Sequence, residues 1–133
     1  MDRFVDNGDG TVTDNKTGLM WQQETVGKQR TWDEAVQYCE NLNLAGYNDW
    51  RLPKIEELQS IIDYTRYDPA IDTSVFPDTM SLGYWSSTTA TNYTSSAWLV
   101  SFYGGNVSNY YKSYVYYVRA VRKGGNNENH ISI

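Results

Sequence analysis

The sequence predicts an α+β fold, two helices packed on antiparallel strands, and three observations carry that prediction. The first 21 residues alternate short apolar-centred runs with turns rich in Asp, Asn and Gly. Two segments between Thr31 and Ile62 then place apolar residues at helical spacing, and from Tyr84 onward the period becomes two. At 133 residues the chain has the size of one domain. Such a length can bury roughly two thirds of its unfolded surface, enough to fold without a metal or disulfide. We expect that domain over residues 1–123 and a poorly ordered tail over 124–133.

The expected strands at the start are Arg3–Val5, Thr11–Thr13 and Leu19–Trp21, separated by DNGDG and DNKTG. DNGDG is also like half of a calcium loop. Val5 and Lys16, however, stand where such a loop needs acids, so the turn reading is preferred and no metal is expected. TWDE at Thr31–Glu34 has the pattern of a capping box, and Trp32, Ala35, Val36, Cys39 and Leu42 follow as one buried helical stripe ending at Gly46. On that stripe Cys39 reads as a small core residue. The second helix is expected to open with Pro53 in its first turn, Glu56 and Glu57 near its positive end, and Ile55, Leu58, Ile61 and Ile62 inward. Glu56 and Glu57 are adjacent, do not face each other, and read as solvated. A long loop follows through Asp68-Pro69 and Phe76-Pro77. In AWLVSFYG, Trp98, Val100 and Phe102 point one way and Leu99, Ser101 and Tyr103 the other. A last strand is expected from Tyr116 to Val121, with Val118 and Val121 in the core and GGNVSNYYKSY as a loop before it.

Composition narrows the function. Sixteen acidic and eleven basic residues leave a net charge of −5, against a nucleic-acid footprint. No apolar run approaches the roughly 20 residues that span a bilayer, and the opening MDRFVDNGDG lacks the apolar stretch of a secretory leader. A lone cysteine forms no internal bridge and no four-ligand zinc site. No phosphate-binding glycine loop and no nucleophile beside a base is present, and His130 in the tail has no acid or cysteine partner. The acids lie in residues 1–78, which hold 15 of the 16, whereas eight of the 12 tyrosines lie between Tyr84 and Tyr117. Within residues 83–118, eight Tyr, seven Ser, four Thr and three Asn accompany a single charge, Lys112. That is the composition of a recognition surface, where Tyr gives large contacts at low entropy cost and Ser and Asn give adaptable hydrogen bonds.

Together RFVDNGDGTVTDNKTGLMW, TWDEAVQYCENLNLAGYNDWRLPKIEELQSIIDY, YWSSTT, AWLVSF and YYVRAVR resemble the Lcl C-terminal (collagen-like protein C-terminal) domain family, in order from Arg3 to Arg122. The resemblance implies a C-type lectin fold, akin to the formylglycine-generating enzymes through Trp50–Pro53, with Trp21, Trp32, Trp50, Trp85 and Trp98 as core. Ala120 stands where the family usually has a cysteine, so Cys39 loses the disulfide partner that the resemblance implies. The cysteine pair of the enzyme relatives is absent too, as are the EPN or QPD and WND motifs of calcium-dependent lectins; only a permuted NDW occurs at 48–50.

Trp85, Ser86, Ser87, Ala97, Trp98, Val100, Phe102, Gly105, Val107, Tyr117 and Arg119 keep the family pattern, whereas Thr91 to Thr94, Ser96, Ser101, Tyr103, Asn106, Ser108, Tyr110, Tyr111 and Tyr114 fall where that pattern is loose or different. The chain thereby resembles the variable proteins of diversity-generating retroelements, in which adenine-directed mutagenesis of AAC-type codons yields Asn, Tyr, Ser, Thr, Asp and Gly at ligand-facing sites. Apart from Trp85, Trp98 and Lys112, residues 83–118 contain no Lys, Glu, Gln, Trp or Met, which such codons do not reach. The expected function is non-catalytic binding without a cofactor, through Thr91, Asn92, Tyr93, Ser96, Ser101, Tyr103, Asn106, Ser108, Tyr110, Tyr111 and Tyr114 on the 92–93 and 106–114 loops and the adjoining strand. Tyr93, Tyr103, Tyr110, Tyr111 and Tyr114 would anchor the contact. The expected partner is a host or cell-surface macromolecule, a protein ahead of a glycan, with no nucleic acid and no membrane insertion. Display on a virion or cell surface in several copies would add avidity. Three rivals are weighed: a fixed adhesin for glycans or glycosaminoglycans through Lys112, Arg119, Arg122 and Lys123; an enzyme using Cys39; and a structural domain that self-assembles through its tyrosines.

Overall fold

The computed structural model describes residues 2–25 and 27–124. In chain order the elements are β1 (Phe4–Asp6), β2 (Thr11–Asp14), β3 (Leu19–Gln22), α1 (Trp32–Asn41), α2 (Ile55–Gln59), β4 (Gly83–Ala90), β5 (Tyr93–Ser101), β6 (Asn106–Tyr111) and β7 (Val121–Lys123). The strands make two antiparallel sheets, ordered β1-β2-β3-β7 and β4-β5-β6. The architecture is therefore α+β with two short helices, as the periodicities predict.

Local chemistry explains the first strands. In DNGDG the Asp6 carboxylate accepts from the Gly8 N–H (2.9 Å) and Asp9 from the Thr11 N–H (3.1 Å), so both acids close their own turns. The capping box forms: the Thr31 hydroxyl accepts from the Glu34 N–H (3.4 Å) and Glu34 Oε1 from the Thr31 N–H (2.9 Å). The helix stops at Asn41, earlier than Gly46, because the Leu42 N–H already turns back to the Cys39 carbonyl at 3.2 Å. Gly46 instead serves the small Leu44–Tyr47 turn.

Four expectations about elements need correction. Pro53 precedes the N-cap Lys54 and so stands outside α2, whose first N–H, that of Ile55, is taken by the Thr88 hydroxyl at 3.0 Å. Ile61 and Ile62 lie beyond the helix end and are buried there by tertiary packing. Residues 106–111, expected as loop, form β6, the edge strand paired with β5 from Ser96↔Tyr111 to Ser101↔Asn106. Conversely, of Tyr116–Val121 only Val121 belongs to a strand; Tyr116 and Tyr117 make isolated bridges to Arg30 and Tyr84.

The core has two clusters, and the central strands supply both. Val12, Trp21, Tyr84, Val100, Phe102 and Val121 pack with Leu58 and Phe76 on one side, while Met20, Trp85, Leu99 and Val118 pack with Ala35, Cys39 and Trp50 on the other. Adjacent residues of β3, β4 and β5 thus enter opposite clusters, which is why apolar residues stand side by side at Met20–Trp21, Tyr84–Trp85 and Leu99–Val100. Trp21, Trp50 and Trp85 are buried and Trp32, half-buried, packs against the second cluster as expected, whereas Trp98 is only half-buried, against the expectation of five core tryptophans. Cys39 and Ala120 are both buried in the second cluster. Gly124 is also buried and donates to the Gly18 carbonyl at 2.7 Å, so the frame extends through it; the rest of the expected tail, 125–133 with His130, lies outside the described residues.

Candidate binding surface

β6 carries the tyrosines because its register on β5 fixes which side chains meet. Ala97 faces Tyr110 and Ser96 faces Tyr111, so consecutive tyrosines leave the edge strand on opposite faces. Tyr114, just past the strand, gathers them: its ring lies 6.3 Å from Tyr110 at 26° and 5.6 Å from Tyr111 at 82°. Tyr93 opens β5 directly after the exposed Thr91 and Asn92 of the β4–β5 turn. The result is an open cleft of about 330 Å³ lined by Tyr93, Ser96, Asn109, Tyr110, Tyr111 and Tyr114. The four tyrosines are 45–69% exposed, which leaves large ring areas to solvent.

Not all the expected residues meet there. Ser96 lines the cleft floor but is itself buried, at 4% exposure. Ser108 is half-buried opposite Leu99, and the half-buried Ser101 hydroxyl accepts from the Tyr103 N–H at 3.3 Å, steadying the β5–β6 turn. Gly105 makes that turn possible: its φ is +87°, and a Cβ there would stand 2.8 Å from Ile62 Cγ2. Tyr103 and Asn106 consequently sit at the far end of the sheet. Tyr103 contacts Tyr67 edge to face at 6.2 Å, and Tyr64 and Tyr67 beside it are more than 70% exposed. The long loop brings them there by donating from Asp68 N–H to the Tyr103 carbonyl (2.7 Å) and from Ala70 N–H to Phe102 (2.6 Å). Sequence reasoning missed Asn109, Tyr64 and Tyr67. Asn109 lay inside the tyrosine-rich window and could have been found; the other two lie in the acidic part of the chain.

The charges near these surfaces are engaged. Lys112 Nζ sits 4.2 Å from the Trp32 ring centroid, and among the described residues no acidic or basic side chain lines the tyrosine cleft. Of the remaining cations weighed for polyanion binding, Arg119 is fully buried and Arg122 is bound to Asp49 at 2.6 Å, which leaves Lys123 exposed. Glu57, expected to be solvated, is held by both Nη atoms of Arg51 at 2.7 and 2.8 Å, while Glu56 stays exposed. Burial pushes the Cys39 thiol up to about 12, so little nucleophilic thiolate exists near neutral pH. Among the described residues no group of three or more His, Cys, Asp or Glu is placed to hold a metal ion.

No curated protein matches the chain at a significant level. The family model of the Lcl C-terminal domain, in contrast, matches residues 10–122, nearly the whole described frame. The chain belongs to that family, and membership points to a surface-associated domain of the binding type.

Proposed function

We propose that this is a non-catalytic recognition domain of C-type lectin fold whose tyrosine cleft is a diversified binding site, as in the variable proteins of diversity-generating retroelements. The observation that carries the reading is how burial divides residues 83–118. Positions that keep the family pattern are buried or half-buried, among them Trp85, Ser86, Ala97, Val100, Phe102 and Gly105. Positions that depart from it are mostly solvent-facing: Thr91, Asn92, Tyr93, Thr94, Tyr103, Asn106, Tyr110, Tyr111 and Tyr114. A surface free to change on a frame that is not is the arrangement that diversification requires. The partner in this reading is a macromolecule on a host or cell surface, and display in several copies raises avidity.

Deep sequencing of codons 84–118 across many genomes of the source population tests it. Substitutions confined to adenine positions at the solvent-facing sites, with Trp98, Val100 and Phe102 constant, are the expected result. An invariant window overturns diversification and favours a fixed adhesin, for which a glycan array is the next measurement.

A further inference from the structure

We infer that the tyrosine cleft takes a cationic side chain, an arginine presented by a protein partner; this rests on the cleft being the binding site proposed above. Ring faces attract cations through the aromatic quadrupole, and more strongly where water is partly excluded. Four phenol rings surround this cleft, Tyr111 and Tyr114 stand nearly perpendicular at 82°, and among the described residues no side chain of either charge lines it. An arginine there therefore meets the phenol rings, their hydroxyls and the amide of Asn109, with no basic group among the described lining residues to repel it.

The rest of the fold supplies the comparison. Among the described residues Arg3 lies over Phe4, Arg30 over Tyr38, Lys112 over Trp32, Arg119 over Phe76 and Arg122 over Tyr47, at 3.7–4.8 Å from the ring centroids. None of these described cations lies over Tyr93, Tyr110, Tyr111 or Tyr114, although these rings are among the most exposed. Lys112, adjacent to Tyr111 in sequence, has its ammonium on Trp32 instead. The chain's net charge of −5 adds long-range attraction for a basic partner.

The test titrates the protein with acetyl-Gly-Arg-Gly-amide and with its citrulline counterpart, which keeps the shape and removes the charge, following the ring resonances of the cleft tyrosines by NMR. Methyl β-glucoside serves as a third probe. The arginine peptide is expected to bind about fivefold tighter than the citrulline peptide, the ratio one exposed cation–ring contact supports. Tyr111→Leu and Tyr114→Leu should abolish the difference, whereas Tyr111→Phe, which keeps the ring and loses the hydroxyl, should retain it. Equal binding of the two peptides overturns the cationic class while leaving the cleft as a binding site. Preference for the glucoside overturns it in favour of a glycan. No response to any probe overturns it as well, and the codon survey then decides separately whether the surface is diversified.

Discussion

Arg119 brings a guanidinium into the core with no carboxylate at ion-pair distance among the described residues. Nη1 donates to the carbonyls of Gln22 (2.8 Å) and Gln23 (2.5 Å), and Nη2 to the hydroxyls of Thr79 (2.8 Å) and Thr25 (3.2 Å). Burial draws its pKa below the ordinary arginine value, but guanidinium stays charged at any physiological pH. It joins the exit of β3 to the long loop, so its role is structural. Its charge was legible in the sequence and its burial was not, which is why it first counted among surface cations. Arg119→Leu strips these acceptors of their donors and should cost about 3 kcal/mol, at roughly 1–3 kcal/mol per buried group left unsatisfied. A urea titration measures this; Arg119→Lys should recover less than half, since one ammonium cannot serve both pairs of acceptors. Cys39 gives a second test at this scale. With its thiol pushed up to about 12 and fully buried, it should resist iodoacetamide at pH 8 in the native protein and react promptly in urea. Equal rates in both states would restore a reactive cysteine and with it the enzyme rival.

At the scale of elements, β5 and β6 divide the work between frame and surface. Leu99 and Val100 enter opposite core clusters, whereas Tyr93 and Tyr111 project into solvent from strands whose backbone pairing does not depend on their side chains. Leu99→Ala should therefore cost about 2–4 kcal/mol, the range for emptying a packed site. Tyr93→Ser and Tyr111→Ser should each stay within about 0.5 kcal/mol, as exposed positions do. Denaturant midpoints compare them directly. If the tyrosine variants proved as costly as Leu99→Ala, the cleft would be part of the frame and unsuited to diversification. The same division explains what was legible beforehand. The start of α1 was readable because a capping box is local: Thr31 and Glu34 carry the whole signal within four residues. β6 was not, because NVSNYY has a weak period of its own and becomes a strand through its register with β5. Residues 116–120 failed the other way, since Val118 and Ala120 are buried by core packing while the backbone lacks a continuous strand partner.

Over the whole molecule, sequence proximity was a poor guide to which tyrosines act together. Tyr103 and Tyr110 are close in the chain, yet the β5–β6 hairpin sends them to opposite ends of the sheet, and only the fold brings Tyr67 to Tyr103 and Tyr64 to the neighbouring Gly105. The charged residues that join distant segments make a global prediction about acid. Asp14, buried in β2, receives Arg3 Nε and Nη2 at 3.0 Å each, and Arg3 also reaches the Ser60 carbonyl beyond α2 at 2.7 Å. Burial raises the Asp14 pKa, but the bonds from Arg3, the Lys16 N–H and the Thr17 hydroxyl outweigh it and hold the carboxyl below its ordinary value. Asp49 is lowered chiefly by its hydrogen bond to Arg122, and Glu57 by Arg51 and the Lys54 N–H against burial. Each is more acidic folded than unfolded, so the unfolded chain binds protons first as pH falls. The stability these groups contribute is complete above the unfolded carboxylate values near 4 and is lost as pH drops through the lower folded ones. Unfolding free energy should accordingly be level near neutrality and fall steeply below about pH 4. Asp14→Asn should lower stability at pH 7 by about 1–3 kcal/mol, the range for a buried group deprived of its charged partner, and flatten the decline at low pH. Parallel slopes for the two proteins between about pH 5 and 2 would remove Asp14 from the set of groups that couple this fold to acid.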